Sequence, residues 1–270
     1  MSFADHFSTI AGRYAAYRPT YPAALVDALA SRATPGTAWD VGCGNGQLSV
    51  ALAAKFARVI ATDPSQAQLD AAPRHDRVEY RCSSAEASGL PDASVDLIVA
   101  AQAAHWFDWP RFVAEAGRVA KPGALVALVS YGIVLVDEPR RASGWGGGGG
   151  GSERARGELT TIGEAGREIA HYYRDVVGRY WPKGREHVET GYRDLHMPWP
   201  AVDAPRIEMR AEWTRDELIG YVSTWSATVR LVETEGPAPF EALQARLAAV
   251  WPDGERRTIR WPLALRFARR

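Results

Sequence analysis

Three glycines at alternate positions constrain this chain more than any other feature. They stand in Trp39-Asp40-Val41-Gly42-Cys43-Gly44-Asn45-Gly46-Gln47, between a short apolar strand and a helix. Glycine tolerates positive φ and lets a ligand approach the backbone closely, at an entropic cost that a purely structural turn need not incur three times. The strand-turn-helix setting therefore predicts a site for a nucleotide-like ligand. A dinucleotide fingerprint reads G-x-G-x-x-G and rests a pyrophosphate on the helix N-terminus. Here the glycines are 42, 44 and 46, and Asp40 lies two positions before the first. An anion suits such a loop poorly, and a ligand carrying an ammonium group suits it well.

Arg58-Val59-Ile60-Ala61-Thr62-Asp63 reads as a second strand. Its terminal carboxylate falls about twenty residues beyond the glycines, where an acidic side chain accepts hydrogen bonds from ribose hydroxyls. Asp63 also fits a helix N-cap, because Pro64 favours a first helical position. Strand and helix alternate to residue 130, the pattern of a parallel sheet with helices on both faces. Helices are expected at 22–32, 47–56, 64–72 and 109–120, and strands at 37–41, 58–62, 77–82, 95–101 and 124–130. Partial alternation at 206–213 and 256–267 brackets two helices, one over 214–231, and completes seven strands. The fold class is α/β, a Rossmann-like doubly wound sheet with a helical cap insertion.

Three regions follow: 1–131 with an entry segment and the ligand-binding half, 132–205 as the cap, and 206–270 completing the sheet. The cap opens with Gly146 to Gly151 and Ser152. Six glycines in a row lose maximal backbone entropy on ordering, so the stretch reads as a flexible linker, either engineered or a native low-complexity loop. A long helix is expected after it, at 158–180, and the cap is expected over the carboxyl ends of the strands.

With 32 basic and 32 acidic residues and no block of like charge, the chain lacks an electrostatic footprint for nucleic acid. Apolar runs fall short of a membrane span, and no basic segment leads into an apolar core near Met1, so a cytoplasmic, soluble protein is expected. The partner expected is a small molecule, with a monomer or homodimer as the assembly. Cys43 and Cys82 have no metal-ligand spacing and read as small buried residues. No metal is expected.

The Asp40–Gln47 run resembles the first motif of the class I S-adenosylmethionine-dependent methyltransferases. Two further stretches are similar to the small-molecule branch that includes trans-aconitate methyltransferase: Phe7 to Pro22, with Tyr14, Tyr17, Arg18 and Tyr21, and Gln102-Ala103-Ala104-His105-Trp106-Phe107. The likeness is specific over 7–131, looser over 206–270 and weak between. It implies an antiparallel last strand, S-adenosylmethionine as cofactor and S-adenosylhomocysteine as product. Implied cofactor-binding residues are Tyr17, Arg18, Asp40, Gly42, Gly44, Gly46, Asp63, Pro64, Ser84, Ala85, Glu86 and Gln102. Ser84 and Ala85 match positions that hold the adenine, although Ser83 or Ser84 also fits a helix N-cap with Glu86 in the first turn. Gln102 falls beside the methionine part, and Arg18 or Tyr17 is placed to meet its carboxylate.

Methyl transfer from a sulfonium is an in-line displacement whose main requirement is positioning. His105, just after a strand end, is the candidate base or substrate hydrogen-bond partner, and packing on Trp106 is its structural alternative. Tyr14, Trp106, Trp181 and Trp225 join it as candidate pocket residues, since seven of the ten tryptophans follow residue 140. Arg174, Arg179, Arg185 and Arg193 are alternatives for meeting an acidic substrate, or simply solvated helix faces. The acceptor oxygen expected is a carboxylate or hydroxyl. Two rivals remain: a binding protein that keeps the cofactor site without methyl transfer, and a nicotinamide-dependent oxidoreductase.

Overall fold

A computed structural model describes residues 19–137 and 163–270. Tyr14, Tyr17, Arg18 and the six-glycine stretch lie outside the described residues. The elements run α1 (Ala23–Ala30), β1 (Thr37–Val41), α2 (Gln47–Ala53), β2 (Arg58–Asp63), α3 (Gln66–Asp70), β3 (Val78–Cys82), β4 (Val95–Ala101), α4 (Trp109–Val119) and β5 (Ala120–Tyr131). After these come β6 (Leu135–Val136), α5 (Glu164–His171), α6 (Arg185–Glu189), β7 (Ala201–Val202), β8 (Glu208–Trp213), α7 (Arg215–Ser223), α8 (Ser226–Glu235), α9 (Ala238–Val250) and β9 (Arg257–Arg269). Contacts divide the chain into two compact units: the described parts of Met1–Gly132 with Trp181–Met209 and Trp261–Arg270, and those of Ile133–Tyr180 with Arg210–Arg260. The division differs from the linear partition at 131 and 205, because 181–209 returns to the first unit.

In the first unit the sheet order is β3-β2-β1-β4-β5-β9. Strands β1 to β5 are parallel, and β9 runs antiparallel to β5, from Leu125 opposite Arg269 to Tyr131 opposite Leu263. The chain leaves β3 at one edge and re-enters at β4 beside β1, so the order reverses between β1 and β4. Ligands of open α/β sheets bind outside the carboxyl ends of the strands at such a switch point.

Burial on both faces explains the near-continuous apolar strands. In β4, Leu97 and Val99 pack with Leu25, Leu52, Phe56 and Val59 on one face. Ile98 and Ala100 pack with Trp39, Phe112 and Val126 on the other, a layer that Tyr192 and Leu195 extend. Fully covered parallel sheets need no polar alternation. The indole Nε1 of Trp39 donates to Thr62 Oγ1 at 2.9 Å, so this large buried ring leaves no orphaned donor.

Seven longer strands match the expected number, and β6 and β7 are two-residue additions that pair with β9. Strands that short carry no periodicity to read. Helix α3 is shorter than expected, and Cys82, expected to be buried, is exposed on the edge strand β3. Among the described residues no helix is long and apolar enough to cross a membrane.

The second unit departs further. The described part of the helix expected at 158–180 is α5, which widens into a π-turn at Tyr172–Val176 and tightens into a 3-10 turn at Gly178–Tyr180. The single helix expected at 214–231 is two. Thr214 and Glu217 form a capping box at the start of α7. At its end Ser223 and Thr224 turn their hydroxyls onto the carbonyls of Gly220 (2.7 Å) and Tyr221 (2.6 Å). Trp225 then takes an extended conformation and is buried against the rings of Tyr172, Tyr173 and Tyr221. Side-chain bonds to the backbone compete with helix continuation, and the aromatic contact fixes where the break falls.

Candidate functional site

The carboxyl ends of β1, β2, β4 and β5 surround a cavity of about 340 Å³ inside the first unit. Its floor is the glycine loop. The N–H groups of Gly42 and Cys43 both donate to Thr62 O, at 2.8 and 3.0 Å, which ties the loop to β2. All three glycines have positive φ, at 69°, 54° and 77°.

Their reasons differ. A Cβ on Gly42 would press on the Cβ of Ala103, and one on Gly46 would run into the ring of Tyr80. A Cβ on Gly44 would meet nothing closer than Gln68 Oε1 at 4.0 Å. Gly42 and Gly46 thus hold the loop against its neighbours, while Gly44 leaves space at the cavity wall. Gly46→Ala is therefore expected to cost roughly 2 kcal/mol of stability and Gly44→Ala about 1 kcal/mol, from φ strain with and without overpacking. Denaturant melts check the order; equal losses would refute the division of labour.

Asp63 is 4% exposed at the end of β2. Its two oxygens accept from the N–H of Gly44 (Oδ2, 2.9 Å) and of Ser65 (Oδ1, 2.9 Å). The residue flanking α3 as its N-cap is Ser65, so Asp63 is a buttress joining the loop to that turn. Burial raises its pKa, and the two amide bonds oppose the rise. Asp40 is 1% exposed and accepts from Ser49 Oγ at 2.6 Å. Burial pushes its pKa up to about 7, with the Ser49 bond pulling down and nearby Asp63 pushing up.

Ser84, Ala85 and Glu86 form another wall of the cavity. No helix starts there: Ala85 and Glu86 form a turn, and Glu86 Oε1 accepts the N–H of Asp108 at 2.9 Å. The expected N-cap role of Ser83 or Ser84 is thus corrected, because this segment closes onto the start of α4 before a helix can form.

Gln102 follows β4 with φ of 54°, unusual for a residue with a side chain. Its Nε2 donates to Tyr131 O at 2.7 Å. Its Oε1 is buried with no hydrogen-bond partner, as is Gln68 Oε1 on α3. Strain at a residue facing a cavity is a recurrent mark of function, and an unpaired buried acceptor costs about 1–3 kcal/mol unless a ligand satisfies it.

The cavity brings together Asp40, Gly42, Gly44, Asp63, Pro64, Ser84, Ala85, Glu86, Gln102 and Trp106. It also takes in Tyr21, Gln68, Phe107 and Tyr131, which the sequence did not single out as site residues. Tyr131 ends β5 as Gln102 follows β4, so the strand-end rule could have found it. Gln68 had no such signal. Gly46 is held behind the lining by Tyr80. His105 and Trp181 are not among the lining residues. The His105 ring packs on Trp106, 5.1 Å between centroids, and its Nδ1 lies 2.9 Å from the hydroxyl of Tyr192. Trp181 stacks under the guanidinium of Arg185 at 4.4 Å. Trp225 belongs to the aromatic core of the second unit, where Arg179 also pairs with Glu235.

Comparisons with known proteins agree with this geometry. The family model described as a methyltransferase domain matches residues 39–128, from β1 into β5. A Dictyostelium discoideum protein named as a methyltransferase is 32% identical over 233 residues, covering 86% of this chain and 80% of that protein. An uncharacterised methyltransferase of Mycobacterium bovis is 35% identical over 127 residues, 46% of this chain and 51% of its own length. A solved structure from Anaeromyxobacter dehalogenans, named as a type II methyltransferase, is 40% identical with a TM-score of 0.79, covering 94% of this chain and 98% of that one. With the glycine loop, the strand order and a full-length relative in agreement, the chain belongs to the class I S-adenosylmethionine-dependent methyltransferases.

Proposed function

We propose that the cavity binds S-adenosylmethionine and that the protein transfers its methyl group to a small-molecule acceptor. One observation carries the reading. Among the described lining residues the charged groups are three carboxylates, Asp40, Asp63 and Glu86, with no Lys or Arg, and two buried acceptors, Gln68 Oε1 and Gln102 Oε1, have no donor. Such a wall fits a ligand that brings positive charge and hydrogen-bond donors, as this cofactor does with its sulfonium, ammonium, ribose hydroxyls and adenine amine. A dinucleotide pyrophosphate would face these carboxylates with no Lys or Arg among the described lining residues.

Asp63 would hold the ribose hydroxyls, because each of its oxygens has accepting capacity beyond its one amide bond. Gly42, Gly44 and Pro64 would bring backbone close to the ligand, and Ser84, Ala85 and Glu86 would bound the adenine. Asp40 and the free Oε1 of Gln102 would serve the cationic end, with Tyr17 or Arg18 as the proposed partner of its carboxylate. When bound, the cofactor supplies a methyl sulfonium open to in-line displacement. The chain's task is then to orient the acceptor and exclude water.

Tyr21, Trp106, Phe107 and Tyr131 supply aromatic faces for an apolar acceptor and for the sulfonium. The proposed methylated group is a carboxylate or a hydroxyl oxygen. Calorimetric titration is expected to give tight binding of S-adenosylhomocysteine and none of NAD. Binding of NAD alone would overturn the reading. Transfer of tritiated methyl over a metabolite panel separates an enzyme from a protein that only binds the cofactor.

A further inference from the structure

Behind the Trp106 wall, the segment at 181–195 lies hard against the backbone of the 3-10 turn Ala104–Trp106. Gly184, at φ of 91°, approaches His105 O so closely that no Cβ would fit. Tyr192 is fully buried, also at positive φ (60°), and Arg266 donates to its carbonyl and to that of Leu195. Left-handed backbone at a ring-bearing residue persists only where its surroundings enforce it.

The Tyr192 hydroxyl occupies a particular place. It is buried with its ring, and among the described residues it has a single hydrogen-bond partner. The same hydroxyl lies 2.9 Å from His105 Nδ1, with the two rings stacked at an interplanar angle of 21°. A buried phenol O–H needs an acceptor, and this ring nitrogen is the one within reach among the described residues. Nδ1 is then the acceptor, and the ring proton belongs on Nε2, which has no hydrogen-bond partner among the described residues.

We propose that Tyr192 is a positioning residue that fixes His105 in the Nε2–H tautomer, so that the ring, packed behind Trp106 of the cavity wall, presents a neutral hydrogen-bond donor and not a base to an acceptor that extends past that wall. Its role toward an acceptor rests on the methyl-transfer reading above; the tautomer does not. An imidazole whose Nε2 carries the proton and whose Nδ1 is occupied has no lone pair with which to deprotonate a substrate. The acceptor would then be a molecule with an oxygen or nitrogen acceptor near its reacting centre.

The charges facing the ring agree. Burial is the main cause that pushes the His105 pKa down to about 3, and Arg185 and His187, both on α6, add to it. Burial also pushes the Tyr192 hydroxyl well above the ordinary tyrosine range, with Arg185 opposing and Tyr131 adding. The pair therefore keeps one protonation state across neutral pH.

Histidine-selective ¹⁵N labelling of the full chain tests this directly, with the His105 signals assigned by their loss in His105→Gln. Long-range proton–nitrogen correlations are expected to show the Nε2–H pattern from pH 8 to pH 5. An Nδ1–H pattern, or titration near the ordinary histidine value, overturns the proposal. In Tyr192→Phe the tautomer is expected to mix or invert; lowered stability with the tautomer unchanged would leave Tyr192 a packing residue only and sink it.

The donor role has a separate readout, tritium transfer from S-adenosylmethionine into a metabolite extract. His105→Ala is expected to lose about tenfold, and His105→Gln, which keeps an N–H near Nε2, is expected to recover most of it. Equal loss in both variants overturns the donor role. No transfer by the wild-type chain would count against the proposed function, and the tautomer measurement would still decide the assignment to Tyr192.

Discussion

Asp63→Ala is expected to lower the unfolding free energy by about 2–4 kcal/mol and the affinity for S-adenosylhomocysteine at least about tenfold. Both effects arise from one side chain. The carboxylate satisfies the N–H of Gly44 and of Ser65 in a nearly closed environment, so its removal leaves two donors unpaired. Each costs about 1–3 kcal/mol, less what a water entering the vacated space restores. The proposed ribose contacts vanish with it. Asp63→Asn separates the parts, since it keeps the volume and one accepting oxygen for two amides. That variant is expected to lose less stability than Asp63→Ala and still to bind weakly. Denaturant melts and calorimetry provide the numbers. Lower stability with unchanged cofactor affinity would make Asp63 a loop buttress only.

Raising the pH from about 4 to about 7 is expected to destabilise the ligand-free protein through Asp40. Its folded pKa of about 7 lies above the ordinary aspartate value of 3.8, so in this window the folded state binds more protons than the unfolded state. Stability then falls with rising pH and levels off above about 7. The upper bound is roughly 4 kcal/mol at about 1.4 kcal/mol per pK unit, and relaxation around Asp40 reduces it. Affinity for the cationic cofactor runs the other way. A positive ligand favours the carboxylate form, so binding is expected to tighten as pH rises through about 7. Melts and titrations of the wild type and Asp40→Asn between pH 5 and 8.5 check both slopes. The variant is expected to flatten both, to be more stable than wild type at pH 8 and to bind less tightly. If its slopes match those of the wild type, another group carries the pH dependence.

Much of the site was legible because the chemistry lies at strand ends, where short sequence patterns report directly on geometry. Asp40, Gly42, Gly44, Asp63, Ser84, Glu86 and Gln102 all fall within a few residues of a strand's carboxyl end, and the switch point brings those ends together. Gln68 was not legible. It sits mid-helix on α3, where a buried amide looks like any polar residue until the cavity beside it is seen. The role of Glu86 changed for a similar reason, since its bond to the Asp108 amide crosses from the β3 turn to the start of α4. Trp181 and Trp225 were grouped by residue type. The fold sends one to a cation-π stack with Arg185 and the other to a separate aromatic core.

The sequence by itself determined the parallel core, the order of its first five strands along the chain, and the glycine-and-carboxylate loop. These rest on local periodicity and on backbone conformations that few residues can adopt. Only the tertiary structure decided what surrounds His105. Tyr192 reaches it from 87 residues away, held at positive φ in the segment that Arg266 of β9 anchors through two backbone carbonyls. A histidine's proton goes where its partners put it, and no local pattern encodes partners that distant.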